Sequence, residues 1–70
     1  MSVIDRIEQQ WLGYVAETGR QPKYLYVGLN EGRELDKAKG MFVITYRDMF
    51  VVMVEKDSWL SVGDKYTEAA

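Results

Sequence analysis

The chain predicts an α+β fold, with an N-terminal amphipathic helix packed on a small, mostly antiparallel sheet of three to four strands. A short second helix is expected between the first two strands. Three observations predict this. Residues 3–18 carry apolar side chains at helical spacing, between a serine that can cap and a glycine that can stop. Met41–Glu55 is an almost unbroken apolar run, interrupted by Arg47-Asp48, and so reads as a hairpin. Two shorter runs, Lys23–Val27 and Trp59–Val62, each end at a glycine.

In the first helix Ser2 is the expected N-cap, with Asp5 three residues on in a loose capping-box pattern. Ile4, Ile7, Trp11, Val15 and Thr18 form one stripe, while Asp5, Arg6, Glu8, Gln9, Gln10 and Glu17 supply the wet side. Gly19 suits a left-handed C-terminal cap, and Pro22 bars continuation. In the strand that follows, alternation puts Tyr24 and Tyr26 on one face and Leu25 and Val27 on the other. Asn30 is the expected cap of the second helix, which runs over 31–39 and stops at Gly40. It is weakly apolar, since only Leu35 and Ala38 face a core, and Gly32 inside it costs about 1 kcal/mol relative to alanine.

With Arg47-Asp48 as a two-residue loop, Tyr46 opposes Met49, Ile44 opposes Val51 and Phe42 opposes Met53. Val43 and Thr45 then share the other face with Phe50, Val52 and Val54. Arg-Asp matches the glycine-rich primed turns poorly, so a longer loop is the alternative. Both hairpin faces are apolar, which points to cover on each side, by helices or by a second chain. Trp11 and Ile44 are expected in the core between helix and sheet. The dozen or so residues between the first strand and the hairpin allow the first two strands to run parallel. Residues 1–63 then form one domain, and 64–70 are expected to be a flexible tail.

Composition narrows the functional classes. Seventy residues sit near the lower limit for independent folding, where a core supplies only about 3–5 kcal/mol without staples or partners. The chain has no cysteine and no histidine, so disulfides, thiolate sites and the commonest zinc ligand are absent. No metal or cofactor is expected. Nine basic and eleven acidic residues are interspersed, with a net charge of -2. This is neither the basic stripe of a general nucleic-acid binder nor the dense acidic array of a DNA mimic. No apolar run reaches the ~18 residues of a membrane span. The expectation is a soluble cytoplasmic protein without a membrane partner.

Catalytic constellations are weak throughout. Ser2, Ser58 and Ser61 fall at cap, turn and strand positions with no evident base, and no enzymatic activity is expected. Glu31, Glu34 and Asp36 are close enough to suggest a cation or acid/base cluster. Interleaved with Arg33, Lys37 and Lys39, they read as the solvated face of a short helix. Gly28-Leu29-Asn30-Glu31-Gly32 joins a strand to a helix, where phosphate loops occur, but it lacks the lysine and hydroxyl such a loop needs. Tyr24 and Tyr26, flanked by Arg20 and Lys23, suit either a stacking platform for single-stranded nucleic acid or a packed sheet face. The latter fits the charge better.

What remains is aromatic and methionine-rich surface, the composition of interface cores. Tyr24, Tyr26, Tyr46, Met49, Phe50 and Trp59 are the candidate partner-binding residues. Self-association as a homodimer is expected, through an apolar face or an unprotected edge strand.

The segment Gly19-Arg20-Gln21-Pro22-Lys23-Tyr24-Leu25-Tyr26-Val27-Gly28, with Glu31, Leu35 and the closing Leu60-Ser61-Val62-Gly63, resembles small bacteriophage and prophage proteins. The resemblance spans about two-thirds of the chain and rests on turn chemistry and strand patterning. It carries no catalytic residues across. It implies a viral accessory or structural product, either an inhibitor or adaptor that binds a host protein, or a component of the particle and its assembly. Single-stranded nucleic-acid binding is the third class.

Overall fold

The computed structural model describes residues 2–65. Its elements are α1 (Val3–Thr18), β1 (Tyr24–Val27), α2 (Leu29–Lys39), β2 (Thr45–Tyr46), β3 (Met49–Met53) and β4 (Leu60–Gly63). The strands form one sheet in the order β2-β3-β1-β4. The fold is α+β, as the sequence pattern predicts, and two of its three strand pairings are antiparallel.

α1 begins where its cap places it. Ser2 accepts the Asp5 N–H at 3.2 Å. At the other end Gly19 is left-handed, with φ of 72°, and returns its N–H to the Val15 carbonyl. Val3 and Ile7 of α1 are buried, with Ile4 and Trp11 packed beside them. Leu35 of α2 meets them on the sheet side lined by Leu25, Val27 and Met49. Ile7, Leu25, Val27, Leu35 and Met49 are completely buried, and each contributes about 1.5–3 kcal/mol relative to exposure. The helices share this core, leaving the opposite sheet face without a helical cover.

The parallel pair differs from the sequence expectation. β1 runs parallel to β3, with Leu25 beside Val51, while β2 leaves for the edge. The chain passes from β1 through α2 and the edge strand β2, and the hairpin returns its second strand, rather than its first, to the sheet centre beside β1. Pairing β1 with the five-residue β3 buries a full ladder, which the two-residue β2 cannot offer.

α2 is also longer than expected, three turns over 29–39 with Gly28, not Asn30, as N-cap. Glu31 near its start and Lys37 and Lys39 near its end complement the helix dipole.

The hairpin loop is indeed two residues, and Tyr46 opposes Met49. Arg47 and Asp48 both take positive φ, 51° and 64°, as a primed turn requires and as side chains resist. Compensation lies across the core rim. The Arg47 guanidinium sits 4.1 Å from the centre of the Trp11 ring and donates to both Glu8 carboxylate oxygens.

The register does not continue to Phe42. Val51 N–H reaches the Ile44 carbonyl at 3.0 Å, but Asp36 Oδ1 then captures the Val43 N–H at 2.9 Å. The chain bends away from the sheet, Val43 enters the core, and Ile44 turns into water. Ile44 is therefore not the core residue that strict alternation implies.

At the C-terminal side, Tyr26 donates its hydroxyl to the Lys65 carbonyl, and Arg20 lies 4.0 Å from Asp64. These contacts reach Asp64 and Lys65, the first two residues of the expected tail. The remainder of the expected tail, 66–70, lies outside the described residues.

Candidate protein-interaction face

The sheet face turned away from the helices is built by β1 and β3 at its centre. Register places Tyr24 beside Phe50 and Tyr26 beside Val52, with Ser61 and Gly63 of β4 flanking the two tyrosines. The Tyr24 and Phe50 ring centres are 6.1 Å apart, and those of Tyr24 and Tyr26 are 6.4 Å apart. These spacings are those of aromatic pairs in contact. Phe50 remains 61% exposed, an apolar ring standing in water at the middle of the face.

Tyr26 is buried. Burial raises its phenol above the ordinary value, against the lowering effect of the hydrogen bond to Lys65, and Asp64 adds to the rise. Gly63 permits this close packing, since a Cβ there would lie 3.2 Å from the Tyr26 ring. Trp59 joins the same side just before β4, donating Nε1 to Ser61 Oγ at 2.9 Å. Lys56 Nζ lies 5.2 Å from its ring.

Three of the six sequence candidates, Tyr24, Tyr26 and Phe50, therefore come together, and Trp59 lies on the same side before β4. The other two do not. Met49 is fully buried between sheet and helices and is a core residue, not a contact residue. Tyr46, opposite it, packs against the core with Lys39 Nζ 4.9 Å from its ring. Burial raises the Tyr46 phenol, as does Glu8, while Arg47 opposes the shift. The two-residue turn puts these side chains on the helix side, one step out of phase with Phe50.

The acidic cluster of α2 separates into three fates. Glu34 is exposed, and Asp36 holds Val43. Glu31 is only 2% exposed and so is not part of a solvated face. It accepts from Ser58 Oγ at 2.6 Å and from the Trp59 N–H at 2.9 Å, with Arg6 Nη1 at 3.5 Å. Burial alone would raise its carboxyl, but these donors and its own amide hold it below the ordinary 4.5.

The same loop consumes the start of α2. The amides of Gly28, Leu29 and Asn30 donate to the carbonyls of Trp59, Lys56 and Asp57 at 3.0, 2.9 and 2.9 Å. A strand-to-helix glycine segment can receive phosphate only through such free amides, and these are spent. Gly28 is required for close approach: a Cβ would fall 2.7 Å from Trp59 N and 2.8 Å from the Lys56 carbonyl oxygen.

The three serines are likewise engaged, Ser2 as cap, Ser58 on Glu31 and Ser61 under Trp59. Ser58 beside Glu31 has the outline of a nucleophile and base. A carboxylate held below its ordinary pKa is a poor proton acceptor, and this contact serves the loop. Among the described residues no group of three or more metal-ligating side chains comes together. Among the described residues no helix is long and apolar enough to cross a membrane.

Sequence reasoning missed a second apolar surface. Met41, Phe42 and Ile44 are 66%, 73% and 71% exposed, because the chain peels from β3 after Ile44. The Val43 N–H bond to Asp36 accompanies this bend, together with the Met41 N–H bond to the Asp36 carbonyl, and no local pattern announces it.

No family model matches the chain, nor does any curated protein or solved structure.

Proposed function

We propose that this chain is a non-enzymatic protein–protein interaction module of the cytoplasm. It docks on a partner protein through the sheet face of Tyr24, Phe50 and Trp59, with Tyr26 as its buried support. The observation that carries this reading is the exposed Phe50 ring, at the centre of an aromatic sheet face that neither helix covers. Aromatic anchors on a rigid sheet supply contact area at small entropic cost, which is how interface hot spots are built. The resemblance to small phage proteins favours a host protein as the partner, with the chain acting as inhibitor or adaptor.

The test is affinity capture from bacterial lysate, comparing the wild type with Phe50→Ala and Tyr24→Ala. A true partner is held by the wild type and weakened about thirtyfold by loss of a hot-spot ring. Unchanged capture by both variants would remove the face from consideration.

A second reading has one specific observation in its favour. Tyr24 and Phe50 lie side by side on the two central strands of an open four-stranded sheet, the arrangement that stacks unpaired bases. The net charge of -2 opposes it. Salt-sensitive retention of the wild type, but not Phe50→Ala, on single-stranded DNA or RNA would establish it in place of the protein partner.

A further inference from the structure

The edge of the sheet at β2 is unfinished. Its pairing with β3 stops at Ile44 and Val51, and Phe42 never reaches its place opposite Met53. Phe50 and Val54 send their N–H groups to Lys23 and Val27 across β1. By alternation the Met53 N–H points the other way, into the space that the peeled segment does not fill. Met53 itself is 52% exposed.

Phe42 and Met53 share a recess of about 140 Å³ with Gly32, Leu35 and Val51. An open groove of about 500 Å³ runs along residues 41–47, lined also by the charged side chains of Glu8 and Lys39.

We propose that a second copy of this chain closes this edge. Segments 41–46 of two copies lie antiparallel about a two-fold axis, with Phe42 and Ile44 of each seated along the groove of the other. Three properties select a second copy over other occupants. The run Met41-Phe42-Val43-Ile44-Thr45-Tyr46 holds no charge, so like residues meet across the axis without repulsion. Of the charged side chains lining the groove, Glu8 and Arg47 already pair within one copy, and Lys39 rests over the Tyr46 ring of its own copy. Finally, Met41, Phe42, Ile44 and Met53 are 66%, 73%, 71% and 52% exposed; that is roughly 500 Å² per copy, and at most about 1,000 Å² if a symmetric pair covers it completely, the lower bound of a specific interface. A single-copy patch of that size lies at the upper end of what monomers leave in water.

This surface is separate from the Tyr24–Phe50 face, so the two fail independently. Sedimentation velocity over a hundredfold concentration range, on the wild type, Phe42→Lys, Ile44→Lys and Phe50→Lys, distinguishes them. The expected result is a wild-type dimer, a mass halved by either edge variant with an unchanged circular dichroism spectrum, and a dimer retained by Phe50→Lys. The chain has no cysteine, so Ile44→Cys alone should form a covalent dimer on mild oxidation while Phe50→Cys should not. A wild-type monomer at every concentration would overturn the proposal. So would a dimer that survives both edge variants or is broken only by Phe50→Lys, as would one that cross-links at position 50 and not at 44.

Discussion

Removing the Glu31 carboxylate should destabilise this protein more than its place on a polar helix suggests. In Glu31→Ala the half-buried Trp59 N–H loses its acceptor and Ser58 loses a 2.6 Å partner. Hydrogen bonds to a charged group are worth about 1.5–3 kcal/mol each, and part is regained because a carboxylate no longer needs burying. Arg6, more than a third exposed on its side chain and 3.5 Å away, can relax into water and adds little. The net loss is about 2–4 kcal/mol, comparable to the whole stability of a core this small. Glu31→Gln keeps one oxygen for the Trp59 N–H and should lose about half as much.

The assay is urea unfolding followed by tryptophan fluorescence, at one protein concentration because association shifts apparent stability. The pH dependence follows from the sign of the shift. Glu31 is held below 4.5, so its contribution is complete above that pH and disappears as acid protonates the folded state. The gap between wild type and Glu31→Gln should therefore be widest at neutral pH and close in acid. A loss under about 0.5 kcal/mol for Glu31→Ala, or a gap that does not change with pH, would refute the account of this contact.

Other substitutions test the backbone. Gly28→Ala forces a methyl group against the backbone at Trp59 and Lys56 and should cost about 3 kcal/mol or more, visible as a lowered denaturation midpoint. Gly13→Ala meets nothing within 4 Å on exposed α1 and should stabilise by about 0.5–1 kcal/mol in the same measurement. Asp48→Gly relieves the left-handed conformation at φ 64° while leaving Arg47 on Trp11, and should raise stability by about 1 kcal/mol in urea. Ile44→Ala should change folding stability by under about 1 kcal/mol, since an exposed side chain leaves no cavity, provided the comparison is made at low concentration.

Legibility followed the range of the interactions. α1 was readable to the residue because its signals are local, with Ser2 capping one end and Gly19 the other. The Tyr46–Met49 register was readable because a two-residue turn determines it. Of the candidate face, Tyr24, Tyr26 and Phe50 were legible from aromatic composition and alternation, whereas Met49 was misplaced beside them. Composition marks an apolar ring or thioether without saying which side of the sheet it takes. Glu31 gave no sign of its role, because its partners Ser58 and Trp59 lie 27 and 28 residues away.

The sequence by itself determined the class, one amphipathic helix over a few short strands with a tight hairpin, because periodicity, caps and turns are written within a few residues. Tertiary structure decided the rest. It set β1 against β3 rather than β2, turned Val43 inward and Ile44 outward through Asp36, and spent the α2 amides on the loop before β4. Each is a competition between distant groups for one donor or one edge. Such contests are settled only when the whole core closes, which is also why this fold leaves an aromatic face and an open edge in water.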